Sequence, residues 1–259
     1  MQQNTIYRQV YRRANPIADF LFEFFIVFSS WFRLLLEVII RRNMGDRYFK
    51  LSSAVIVGLL LFFYPIAAEK FPFLTATRPY LGYRGPSILS QYWSWYLFLI
   101  VYIAGAYWRW REVRRNPSVL NGGRCSIYTG DIHPFFFDLH PFGRKVTARQ
   151  VECFFEPFVF FIAGYILNLM GQRIGILFII SGVFYALGYV GMYRKADNYL
   201  KDIMDEQVYA SEMENVILND NPNNAKGVRV HGSRPNDPNT RKQLATTLAS
   251  QFHDVSYVS

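Results

Sequence analysis

Long apolar runs alternate with short charged ones along this chain. Residues 51–68 are eighteen consecutive positions without a charge. Coiled as a helix they make a rod of about 27 Å, close to the ~30 Å hydrocarbon core of a bilayer. Residues 88–108 predict a second span: Gln91 is its most polar side chain, and Tyr92, Trp93, Trp95, Tyr107 and Trp108 sit near its ends, as an aromatic belt requires. Residues 154–170 and 174–193 predict a third and fourth. Only Gly171, Gln172 and Arg173 separate them, so they form an antiparallel hairpin.

The run at residues 17–40 is different, because Asp19, Glu23, Arg33 and Glu37 interrupt it. At about 100° per residue these four, with Ser30, fall within a sector of roughly 80°. Apolar side chains cover the rest, and Arg pairs bracket both ends. Equally basic flanks suit an amphipathic helix lying on an anionic membrane surface. The competing reading is a fifth span whose polar stripe faces a protein partner or an aqueous path.

Beyond residue 193 the pattern turns polar. Residues 194–218 carry Leu200, Met204 and Val208 at helical spacing and predict a cytoplasmic extension of the fourth span. Residues 219–240 are rich in Asn, Pro and Gly and predict a flexible linker. Leu244, Leu248 and Phe252 then recur every fourth position behind a helix start at Asp237-Pro238, which suits a peptide that docks on a partner. The predicted organisation is an N-terminal segment to residue 50, one hairpin over 51–108, a basic and aromatic segment over 109–153, a second hairpin over 154–193, the extension over 194–218 and a tail over 219–259. The fold class is an all-α polytopic membrane protein with two transmembrane hairpins and an N-terminal interfacial helix.

Composition sharpens this picture through charge. The chain carries 28 basic and 19 acidic residues, and 51% of it is hydrophobic. Residues 194–259 hold 8 basic and 9 acidic groups, so residues 1–193 carry the whole surplus, 20 against 10. Most of those twenty flank the spans on one side, and the positive-inside rule then places both termini and the central segment in the cytoplasm, with the spans in the cytoplasmic (inner) membrane. A signal peptide is not expected, since the first apolar stretch carries acidic residues and lacks a small-residue cleavage site. Arg12, Arg13, Arg41, Arg42, Arg109, Arg111, Arg114 and Arg115 are expected to meet lipid phosphates. Nucleic-acid binding by the Trp108–Arg115 cluster is the weaker alternative, since it directly follows a span.

Motifs of catalysis are scarce. There is no Walker loop, Gly-x-Gly-x-x-Gly, His-Glu-x-x-His or Gly-x-Ser-x-Gly. The most distinctive local feature is a seven-residue repeat, Asp131-Ile132-His133-Pro134-Phe135 and Asp138-Leu139-His140-Pro141-Phe142. Asp131, His133, Asp138 and His140 are candidate metal ligands, with Cys125 and Cys153 nearby. Pro after each His favours instead a compact loop whose aromatics dip into the membrane interface. The Asn121–Gly130 stretch reads as a turn. Gly171, Gly175, Gly182 and Ala186 form a small-residue face for close helix packing.

These readings point to a non-enzymatic scaffold or anchor subunit that needs no cofactor, bound to anionic lipids, a cytoplasmic protein and potentially copies of itself. The alternatives are a small oligomeric channel or transporter, and a metal-dependent interfacial enzyme using His133 and His140.

Overall fold

A computed structural model describes residues 16–70, 91–117, 119–138, 140, 143, 145–219 and 235–253. Its elements are helices α1 (Pro16–Ile40), α2 (Leu51–Lys70), α3 (Trp93–Arg115), α4 (Ala148–Leu169), α5 (Ile174–Asn219) and α6 (Pro238–His253), with short 3-10 turns between α3 and α4. Among the described residues there is no strand, only an isolated bridge between Arg42 and Asp131. The chain divides into two compact units, Met1–Met192 and Tyr193–Ser259.

Three helices are long and apolar enough to cross a membrane: Leu51–Ala68 in α2, Ala148–Leu169, which is α4, and Ile174–Asp205 in α5. The predicted span at 88–108 differs. Its first residues lie outside the described part, α3 starts at Trp93, and the helix runs on through five charged residues to Arg115. The described apolar part, Trp93 to Trp108, covers about 24 Å.

Within the first unit, α2 and α3 pack through aromatic side chains whose polar ends reach backbone carbonyls. Trp95 Nε1 donates to the Leu61 carbonyl at 2.8 Å and the Tyr102 hydroxyl to that of Ala54 at 3.1 Å. Each polar atom thus has a partner in a place that water does not reach. α1 meets α3 where Gly105 lets the backbone of Val38 approach, and Arg109 Nε donates to the Val38 carbonyl at 3.2 Å. α1 meets α5 through Phe25, Phe28 and Phe32, whose rings gather around Phe184 at centroid distances of 5.8, 5.3 and 4.8 Å.

α4 and α5 are joined at Met170–Arg173, with Gly171 at φ 75° making the turn. They then run in near backbone contact. A Cβ on Gly164 would stand 2.7 Å from the Gly175 carbonyl oxygen, one on Gly175 2.5 Å from the Asn168 nitrogen, and one on Gly182 3.0 Å from the Pro157 oxygen. Gly175 and Gly182 therefore lie against α4, whereas Gly171 has open space around it and Ala186 is only half-buried. The small-residue face continues beyond the predicted one: Gly188 and Gly191 lie against Ser29 and Ile26 of α1. Because the atoms facing Gly175 are backbone, Gly175→Ala is expected to cost about 1–3 kcal/mol by forcing the hairpin apart. Thermal unfolding in mild detergent checks this, with Gly171→Asn, tolerated at positive φ, as the near-neutral comparison.

Two loops close one end of this unit. Gly45 N donates to Tyr128 O, Arg47 N to Ser126 O and Asp131 N to Arg42 O, at 2.9, 2.9 and 2.8 Å. Gly45 is required there, because a Cβ would fall 2.2 Å from the Ser126 oxygen.

In the second unit, Val216, Ile217 and Ala245 are buried. α6 starts where the sequence predicts: the Asp237 carboxylate accepts from the backbone N–H of Thr240 at 3.0 Å and from its hydroxyl at 2.7 Å. These bonds hold the Asp237 carboxyl below its ordinary range. Leu244 is 40% exposed on this helix. Leu248 and Phe252 belong to the same helix, but their side chains lie outside the described part.

Candidate functional site: a buried charge network

The most unusual chemistry in the first unit is a set of charged side chains enclosed between α1, α4 and α5. Arg33, Glu37 and Arg41 follow one another every fourth residue along α1 and its C-terminal edge, and all three are buried. α4 faces them with Glu152 and Glu156, and α5 with Tyr185 and Tyr189. A π turn over Val151–Phe155, closed by the Glu156 N–H on the Val151 carbonyl, opens α4 and leaves both acids on the Arg41 side.

Arg41 is the hub. One terminal nitrogen of its guanidinium donates to Glu152 Oε1 at 2.9 Å and Thr129 Oγ1 at 3.1 Å, and the other to Glu156 Oε2 at 2.6 Å. Its Cζ lies 4.8 Å from the Tyr189 ring centroid and 6.0 Å from that of Tyr185. The Tyr185 hydroxyl donates to Glu156 as well. Each carboxylate thus meets a cation or a donor, so that neither is left without a partner away from water.

Glu37 centres a second group one helical turn away. It accepts from the Tyr48 hydroxyl at 2.9 and 2.8 Å and from the Tyr189 hydroxyl at 2.8 Å. Arg33 Nε stands 3.8 Å from Glu37 Oε1, and its terminal nitrogens donate to the Tyr48 hydroxyl and the Met192 sulfur. Burial and the neighbouring Glu37 push the Tyr48 phenol far above its ordinary value, so it remains a neutral donor. The two groups share Tyr189, which stacks under both guanidiniums and binds Glu37.

Several predicted site residues are placed elsewhere. Arg41 was expected at lipid phosphates, but its side chain is fully buried, and two carboxylates compensate its charge. Arg109 is also mostly buried, bound to the Val38 carbonyl and to Glu112 at 2.7 Å. Arg42, Arg111, Arg114 and Arg115 are exposed, with Arg114 resting 4.4 Å from the Trp110 ring centroid. Arg12 and Arg13 lie outside the described residues.

The polar stripe of α1 has a different outlook from the one expected of a surface helix. Its Arg33–Glu37 part turns inward onto α5, and Phe20, Phe24, Val27 and Trp31 are exposed. An interfacial helix hides its apolar side and wets its polar one; here the protein interior takes up half of the polar stripe.

The Asp-x-His-Pro-Phe repeat makes turns. Asp131 accepts from Asn43 Nδ2 at 2.6 Å, Tyr128 OH at 2.8 Å and Arg124 at 2.8 Å. Partial burial would raise its carboxyl, but these hydrogen bonds outweigh that and hold it below the ordinary range. His133 Nδ1 accepts from the Phe135 N–H, capping a 3-10 turn, and His140 Nδ1 lies 2.8 Å from the Asp138 carbonyl oxygen. Asp138 is exposed. Among the described residues no three His, Cys, Asp or Glu side chains converge as metal ligands. Cys125 and Cys153 are both free thiols.

No protein-family model, curated protein or solved structure matches this chain.

The sequence carries a signal for the network. On the helical wheel that groups Asp19, Glu23, Arg33 and Glu37, Arg41 falls at about 40° from Asp19, inside the same stripe.

Proposed function

We propose that this chain is a non-enzymatic integral membrane scaffold or anchor subunit. It would sit in the cytoplasmic membrane as two helical hairpins with α1 alongside them, both termini in the cytoplasm, and hold a cytoplasmic protein through its basic central segment and C-terminal unit. One observation carries the reading: the buried ionisable side chains of the embedded unit are spent on one another. Arg41 pairs with Glu152 and Glu156 and Arg33 with Glu37, and with Tyr185 and Tyr189 they cross-link three helices, an arrangement suited to holding a shape.

The other exposed groups fit the same role. Arg111, Arg114 and Arg115 follow α3 and suit anionic lipid headgroups. Leu244 on α6 is a first anchor for a partner, continued in sequence by Leu248 and Phe252. Deleting residues 237–259 is expected to release a co-purifying protein in mild detergent while the embedded unit still accumulates. Unchanged partner content counts against the tail as the docking element. Solute or ion flux through reconstituted protein, abolished by Glu156→Gln, replaces the scaffold with a transporter.

A further inference from the structure

Between α1 and α2 lie two neighbouring recesses of different polarity. The one next to the 41–50 loop has a volume of about 160 Å³ and is lined by Ser30, Arg33, Glu37, Tyr48, Lys50 and Ser53. The other measures about 430 Å³ and has apolar walls that include Phe32, Leu35, Leu60, Leu61 and Leu177. Trp31 and Val57 line both.

The order of these residues along α2 sets a depth scale. Lys50 stands just before α2, Ser53 is in its first turn, and Leu60 and Leu61 lie about 15 Å beyond Lys50. A polar mouth with two cations, then hydroxyls, then a hydrocarbon slot is the sequence of headgroup, ester and acyl chain in a membrane lipid. Two observations mark the mouth as a ligand site. Lys50 is exposed and forms no ion pair with a described residue, and Arg33, 5% exposed, has a buried Nε without a hydrogen-bond partner. Glu37 supplies the single negative charge among the six mouth residues, so the mouth is net positive.

We infer that this pair of recesses binds one phospholipid with an anionic headgroup, its phosphate at Lys50 and Ser53 and one acyl chain in the slot between α1 and α2. The slot, about 430 Å³ and walled by apolar side chains alone, suits a segment of an acyl chain. The inference rests on the membrane placement and not on the scaffold role.

The test titrates the full chain in mild detergent with phosphatidylglycerol carrying a fluorescent acyl chain. Saturable binding of one lipid per chain is expected, tighter than for the phosphatidylcholine equivalent. Lys50→Glu should weaken it on the order of tenfold, the loss of one charge-assisted contact. Leu60→Trp, which fills the slot from a largely exposed position, should weaken both lipids alike. Lys145→Glu, at an exposed lysine outside both recesses, should leave binding unchanged. Should Lys50→Glu elute as aggregate, Ser53→Asp puts the same repulsion at the mouth. Non-saturable partitioning, binding unaffected by both the mouth and the slot variants, or displacement of the labelled lipid by inorganic phosphate alone would overturn the assignment. Because the isolated chain is measured, this result is independent of whether tail deletion releases a partner.

Discussion

Arg41→Met is expected to remove about 3–5 kcal/mol of stability, the cost of leaving buried carboxylates without their cation. Glu152 and Glu156 both depend on this guanidinium, at 2.9 and 2.6 Å, and Glu156 is 1% exposed. Set against a typical margin of ~5–15 kcal/mol, such a loss would show as a sharply lowered yield and melting temperature in detergent. The sign reverses when the acids are removed too. The triple variant Arg41→Met, Glu152→Gln, Glu156→Gln should regain most of the loss, because neutral amides need far less compensation than carboxylates. A single variant that melts with the parent would show that the network contributes nothing to holding the helices.

Glu37→Leu is the second large effect, at about 2–4 kcal/mol, and its signature is local. The substitution orphans the hydroxyls of Tyr48 and Tyr189 and leaves Arg33 without its carboxylate. The two tyrosine contacts fasten α1 to α5 and to the loop after α1, whereas α2 and α3 are held by Trp95 and Tyr102 bonds that do not involve Glu37. Hydrogen exchange should therefore accelerate across the second half of α1 while α2 and α3 keep their protection. Glu37→Gln, which keeps two acceptor-donor contacts of similar shape, should lose on the order of 1 kcal/mol. Uniform acceleration over all helices would contradict this localisation.

Much of the fold was legible from uncharged run length alone. The runs at 51–68 and 174–193 fall within helices α2 and α5, and the three-residue turn at Gly171–Arg173 could only make a hairpin. α6 was legible from Asp237-Pro238, because a cap acts within its own first turn. The site was harder to read because its parts are distant in sequence. Arg41 beside Arg42 looks like half of a basic flank, and only the packing of α4 and α5 separates the two, burying one and exposing the other. Glu156 lies at the edge of an apolar run, where depth in the run suggests a surface position; the covering loops at residues 41–50 and 125–131 make that edge interior. The Asp-x-His-Pro-Phe repeat shows the opposite error: a conspicuous pattern whose Pro134 opens a 3-10 turn and whose Asp131 fastens two loops together.

The pairing of Arg41 with acids 111 and 115 residues later also has a consequence for synthesis. At ~5–20 residues per second, roughly 6–23 s separate the emergence of Arg41 from that of its partners. During that interval α1 holds Arg33, Glu37 and Arg41 without Glu152, Glu156, Tyr185 or Tyr189 to receive them. A nascent helix in this condition is best accommodated at the aqueous boundary of the bilayer, apolar side inward and charges hydrated. Its docking onto α4 and α5 is then a late event, triggered by arrival of the last hairpin.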